Sequence, residues 1–314
     1  MKAIRIHQYG HSDQLKIEDI RTPEIQANQV LVNVHNVGVN PVDWKIREGL
    51  RKEKFPVDFP ATVGQDFAGE IESVGSGVKD YKIGDIVYGF ASGAYAEYVA
   101  ASTKEIAHAP RTLDYIEAAS LPTAGLTAWQ ALIDHAKLER GQRVLIHGAG
   151  GGVGSLACQI AVWKDAHVIG TCSASDREYL FGLGVDELID YKKDDFEEHL
   201  QDIDVVLDLI GGSTQEKSLH VMRHGGVIVT TVGGLDVKKL RAAGVKGIAM
   251  TMTRDGEGLA KIAKLVDDGH LTSRVSCVLD LEDAAQAQDF LEDGHPHGKV
   301  VLEVNHASEH ENSF

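Results

Sequence analysis

Five glycines fall within seven residues, Gly148 to Gly154, inside the stretch RVLIHGAGGGVGSLACQIA that runs from Arg143 to Ala161. An apolar run precedes them and a helical pattern of apolar residues follows. A strand that ends in a tight glycine turn and opens a helix offers unpaired backbone N–H groups and the positive end of a helix dipole to an anion, the arrangement that holds a dinucleotide pyrophosphate. The usual spacing is Gly-x-Gly-x-x-Gly, whereas the register here reads Ala149-x-Gly151-x-x-Gly154. Gly148, Gly151, Gly152, Val153 and Gly154 are the expected phosphate contacts, and the surrounding sequence has to support them.

The second apolar run, HVIGTCS, supplies that support. A chain that binds NAD through the ribose 2′-hydroxyl carries Asp or Glu about twenty residues past the turn, at the end of the second strand. Cys172 and Ser173 stand there instead, and Arg177 follows on the first turn of the next helix. A guanidinium in that place suits a 2′-phosphate. The spacing therefore predicts NADPH, with Ser173, Arg177 and, after ELID, Tyr191 around the phosphate. An ion pair of Arg177 with Asp176 or Glu178 is the alternative.

From about residue 140 to 235, apolar runs alternate with amphipathic segments, the rhythm of βαβ units in a parallel, doubly wound sheet. Helical segments are expected over SDREYLFGLG and STQEKSLHVMRH. Residues 1 to about 115 instead alternate short Val/Ile-rich stretches with Gly, Pro and Asp, as small barrel-like β domains do. The opening MKAIRIHQYG reads as an edge strand, DAAQAQDFLEDG as a helix, and GKVVLEV as a strand returning to the first domain. The expected boundaries are 1–118 for a first catalytic segment, 119–255 for the nucleotide-binding domain, 256–305 for the returning segment and 306–314 for a flexible tail.

Charge and cysteine content narrow the partners. A formal net charge of −16 repels a phosphate backbone, and no run approaches the roughly eighteen apolar residues of a membrane span, so neither nucleic acid nor membrane is an expected partner. Three cysteines without a CxxC pair offer no disulfide framework and no multi-cysteine zinc site, which fits a reducing cytoplasm.

GVNPVDWKIREG, PATVGQDFAGE, GAYAEYV, LPTAGLTAWQAL, the glycine turn, DVVLDLIGG and HGKVVLEV occur in this order, and over residues 1 to about 304 the chain resembles the medium-chain dehydrogenase/reductase superfamily in its zinc-independent quinone oxidoreductase branch. The resemblance implies an α/β protein: a GroES-like β-barrel catalytic domain plus a Rossmann doubly wound parallel sheet, a substrate cleft, and a homodimer. Zinc-using relatives carry a cysteine ligand where Asn40 stands and a His-Glu pair where Gln65 and Asp66 stand, so no metal is expected. Without a Lewis acid, a nicotinamide hydride still reduces an acceptor whose conjugation spreads the developing charge, namely a quinone or an α,β-unsaturated carbonyl (enone or enal).

Asn40, Asp43 and Lys45 are the expected catalytic residues: Asn40 as amide donor, Asp43 as its orienter or a turn cap, Lys45 as a cation for the developing oxyanion. The resemblance adds Thr127 near the nicotinamide; Asp208, Val232 and Gly233 end the next strands at the crevice where dinucleotides lie and are expected to border the ribose and carboxamide. The rivals are a non-catalytic NADPH-binding protein and a zinc alcohol dehydrogenase.

Overall fold

The computed structural model describes residues 1–294 and 296–304, so the tail expected over 306–314 lies outside the described residues. The chain forms two compact units. One comprises Met1–Thr123, Arg254–Asp267 and the described residues from Ser273 on; the other comprises Ala124–Thr253 and Asp268–Thr272.

The first unit is built on β-branched alternation. In Gln29–Val39 every second residue from Val30 to Val34 is buried, and a register shift between Val34 and Asn36 then carries Asn36 to Val39 into the interior together. This strand anchors a seven-stranded sheet whose path runs Val275–Asp280, Lys299–Glu303, Gln29–Val39, Asp66–Val74, Ile86–Phe90 and Ile106–His108, with Tyr98–Ser102 also paired to Gln29–Val39. GKVVLEV thus returns to the first domain, antiparallel to Gln29–Val39.

The N-terminal strand Lys2–Ile6 corrects an expectation. It is not an edge: it lies between Lys16–Asp19 and Ala61–Thr62 in a three-stranded sheet. Ala3, Ile4 and Ile6 are all buried, and the strand's main chain is paired on both sides.

In the second unit six parallel strands carry the nucleotide-binding topology. In chain order they are Arg143–His147, His167–Cys172, Glu187–Asp190, Ile203–Asp208, Met222–Thr230 and Lys246–Ala249, and in the sheet they lie 3-2-1-4-5-6. The order reverses between the first and fourth strands, and a crevice at such a reversal is where dinucleotides lie. The glycine turn leaves the first strand at that point. The helix after DVVLDLIGG ends at Val221, three residues short of the sequence reading, because Met222 already pairs with Ile203 as a strand residue.

Candidate functional site

The glycine turn has the shape an anion needs. Gly148 takes φ +71°, a conformation that side-chain-bearing residues rarely adopt. A Cβ on Gly154 would lie 2.1 Å from the Gly148 carbonyl oxygen, so the turn closes on the helix only because this residue has none. A Cβ on Gly151 would meet nothing nearer than that same oxygen at 3.5 Å, which leaves its backbone open to a ligand. Gly152 begins the helix Gly152–Trp163, whose first turn has no acidic residue, and Val153 follows it. The turn therefore fits a pyrophosphate, with the helix dipole unopposed by any acidic residue in the helix's own first turn.

At the end of the second strand the structure adds a residue that the sequence reading used only as an ion-pair alternative. Asp176 is buried, accepts a hydrogen bond from Ser173 Oγ at 2.8 Å, and lies so close to the turn that a Cβ on Gly150 would come within 2.5 Å of its Oδ2. Arg177 is the first residue of the helix Arg177–Gly182; it donates to the Leu188 carbonyl at 2.8 Å and its guanidinium lies 5.5 Å from the centre of the Phe181 ring. Tyr191 is exposed just past Glu187–Asp190, with the Lys192 ammonium 5.8 Å from its ring centre. Ser173, Arg177 and Tyr191 thus stand beside neighbouring strand ends, because their strands pair in parallel.

The fourth and fifth strands end in a hydrogen-bonded network. Asp208, fully buried, accepts from Ile210 N, Gly211 N, Gln215 Nε2 and Thr230 Oγ1 at 2.8–3.0 Å. Thr230 Oγ1 also accepts from Val232 N at 3.2 Å, and Gly233 follows at φ +76°. Thr127 is buried in the helix Pro122–Trp129. Sequence reasoning missed His147, which ends the first strand. Its ring nitrogens meet Thr171 Oγ1 at 3.1 Å and Ser218 Oγ at 2.9 Å, and burial pushes it down to about 4 despite Asp208, so the neutral ring is built in. A histidine flanked by strand residues on an inward-facing register was the available signal.

In the first unit, Asn40, Asp43 and Lys45 start the helix Pro41–Arg47. Proline at the first helical position and Asp43 two residues later set its entry: Asp43 Oδ2 accepts from the Asn40 backbone N–H at 2.8 Å and from Tyr95 Oη at 3.0 Å. The Asn40 side chain turns inward. Its Nδ2 donates to the Gly38 carbonyl at 3.3 Å, and its Oδ1 accepts from Lys299 Nζ, which also donates to the Val39 carbonyl at 3.1 Å. Asp66 completes the cluster, accepting from Thr123 N and Thr123 Oγ1 at 3.0 and 2.6 Å.

Asn40, Asp43, Asp66 and Lys299 are each at most 6% exposed. Burial raises both carboxyls, Asp43 to about 7 with Asp66 adding to the rise, and lowers Lys299 against the pull of Asp66 and Asp43. Lys45 is half-buried and lies 5.2 Å from the Trp44 ring centre; burial and Arg51 lower its pKa. Of the three expected residues of this turn, Asn40 and Asp43 are buried and Lys45 is not. Lys299 was legible only as a lysine in an otherwise buried strand. Gln65 joins the same polar chain, donating to Thr123 Oγ1 at 3.1 Å and accepting from Arg254 at 3.2 Å. Among the described residues, no three His, Cys, Asp or Glu side chains converge on a metal position.

Comparison with known proteins agrees with this architecture. Residues 26–111 match the model of the alcohol dehydrogenase GroES-like domain, and residues 183–302 match the model described as zinc-binding dehydrogenase. The chain is 33% identical to a quinone oxidoreductase of Sus scrofa, over 96% of this chain and 97% of that one. It is 35% identical to an NADPH-dependent alkenal/one oxidoreductase of Arabidopsis thaliana, over 96% of this chain and 79% of that one. Among solved structures, the quinone oxidoreductase from Coxiella burnetii superposes with a TM-score of 0.89 at 37% identity, covering 97% of this chain and 99% of the other. The Escherichia coli quinone oxidoreductase complexed with NADPH gives 0.88 at 27% identity, covering 97% and 100%. By these matches the chain belongs to the zinc-independent quinone oxidoreductase branch of the medium-chain dehydrogenase/reductase family.

Proposed function

We propose that this protein is an NADPH-dependent oxidoreductase that reduces a quinone or an α,β-unsaturated aldehyde or ketone without a metal ion. The observation that carries the reading is the occupancy of positions 40 and 66: Asn40 and Asp66 are turned into a buried cluster around the Lys299 ammonium, and a chain so built has to use an acceptor that stabilises its own developing charge. NADPH, when bound, supplies the hydride. The chain's part is to hold it and to orient the acceptor. Gly148 and Gly151 to Gly154 hold the pyrophosphate, Ser173, Arg177 and Tyr191 take the 2′-phosphate, and Thr127, Asp208, Val232 and Gly233 border the nicotinamide end. Lys45 is the donor to the acceptor oxygen, while Asn40 and Asp43 fix the turn that carries it.

The reading includes a homodimer working in the cytoplasm. Supporting it are three free cysteines, two of them buried, and the sheet-edge strand Lys246–Ala249, whose one partner among the described residues is Met222–Thr230. Among the described residues, no helix is long and apolar enough to cross a membrane.

The test is NADPH oxidation by purified, chelator-treated protein with 9,10-phenanthrenequinone and, separately, trans-2-nonenal. Turnover that survives chelation is expected with at least one acceptor, from a particle with the mass of two chains. No oxidation with either acceptor, while NADPH still binds, sinks the reading in favour of a non-catalytic binding protein. The cofactor preference has its own expected result. Arg177→Ala raises the KM for NADPH roughly ten- to a hundred-fold, the loss of one or two charge-assisted hydrogen bonds, and leaves the KM for NADH in place. Equal KM changes for the two cofactors would show that Arg177 does not read the phosphate.

A further inference from the structure

We propose that Lys299 is a positioning residue for the acceptor turn: its buried ammonium locks the Asn40 amide and thereby the start of the helix that carries Lys45. The inference rests on the reading of Asn40–Lys45 as the acceptor-side segment. Three features of the first unit carry it. Lys299 Nζ donates to two successive residues, the Val39 carbonyl and Asn40 Oδ1, across the junction where the strand Gln29–Val39 gives way to the helix Pro41–Arg47. The amide has no freedom to rotate within that grip, since its Nδ2 is directed to the Gly38 carbonyl. The cation comes from a strand more than 250 residues away in sequence, so the junction is fixed from outside itself.

The charge balance of the cluster explains why a lysine is tolerated there. Its ammonium faces two buried carboxyls, Asp43 from the helix and Asp66 from the neighbouring strand, and Tyr95 is the remaining titratable group against Asp43. Asp43 holds the Asn40 backbone N–H while Lys299 holds the Asn40 side chain, so one residue is held at both ends, by a carboxyl and by an ammonium. A buried ammonium without these acids would not persist, and the acids without the ammonium would need two protons.

Removing the cation separates the two roles. Lys299→Met leaves two buried acids uncompensated, and the folded state is expected to melt earlier at pH 7. Lys299→Met combined with Asp66→Asn removes one of the acids and recovers most of that loss. If Lys299 positions Asn40, kcat/KM for 9,10-phenanthrenequinone at saturating NADPH stays about ten-fold down in the double variant, although its melting temperature has recovered and its NADPH Kd is that of the parent. Recovery of kcat/KM in step with the melting temperature overturns the proposal and leaves Lys299 as a charge balance alone; an unchanged kcat/KM in the single variant overturns it as well. Lys45→Ala tests the underlying reading separately. If that variant turns over normally, the acceptor does not use this turn, whatever the Lys299 variants do.

Discussion

Gly154→Val abolishes measurable NADPH binding. The added Cβ would lie 2.1 Å from the Gly148 carbonyl oxygen and 2.8 Å from Ala149 Cα, and both are backbone atoms of the turn itself, so no side chain can swing aside. Either the helix Gly152–Trp163 moves away from the strand Arg143–His147 or the turn opens, and each disperses the N–H groups proposed to hold the pyrophosphate. The expected loss in affinity, read by titrating NADPH fluorescence, exceeds about a hundred-fold, or roughly 3 kcal/mol. Gly151→Ala is the informative contrast, because its Cβ has a nearest contact at 3.5 Å and the fold accepts it. Binding by Gly154→Val within about three-fold of the parent would show that this turn does not hold the cofactor.

The second large effect is on stability, where two buried groups oppose each other in one pH window. His147 is pushed down to about 4 by burial, so the unfolded chain takes up its proton first; the contribution is present above 6.5 and is lost as the pH falls through 4. Asp43 is raised to about 7, so the folded chain holds its proton first; that contribution is present below 3.8 and is lost as the pH rises through 7. Going from pH 7 to pH 5, His147 destabilises the second unit by about 2 kcal/mol while Asp43 stabilises the first by about as much, at about 1.4 kcal/mol per pH unit of proton linkage. The parent therefore shows little net slope from this pair. His147→Asn is expected to gain about 2 kcal/mol over the parent on this change, and Asp43→Asn to lose about as much. Amide hydrogen exchange followed peptide by peptide reports each unit separately. Equal pH slopes in the parent and both variants would remove these two groups from the account.

Much of this architecture was legible because it rests on periodicity and spacing. Buried strands alternating with helical stretches from Arg143 onward read as βαβ units, and the lack of an acid at Cys172 and Ser173 pointed to a phosphate-bearing nucleotide. The acceptor side was legible as a segment, Asn40 to Lys45, but the contacts of its side chains were not. Asn40 was expected to face an acceptor, whereas its amide points into the interior toward Gly38 and Lys299. What decides that orientation is a lysine some 260 residues downstream, and no local pattern encodes a contact at that separation. Asp176 illustrates the same limit at shorter range. Its neighbours in sequence suggested an ion pair with Arg177, and only the closeness of the second strand to the glycine turn makes it a neighbour of Gly150.

The strand Lys299–Glu303 also has a consequence for how the molecule is made. A ribosome releases Ala124–Thr253 as nearly the whole of the second unit, which can condense without waiting for later chain. The first unit cannot do the same. Its sheet lacks the strand between Val275–Asp280 and Gln29–Val39, and Asp43 and Asp66 lack their cation, until Lys299 has emerged. Enclosing those carboxyls before the ammonium arrives costs their desolvation without its compensation. Vectorial synthesis thereby sets an order, the parallel-sheet unit first and the unit that carries Asn40 to Lys45 only once Lys299 has emerged.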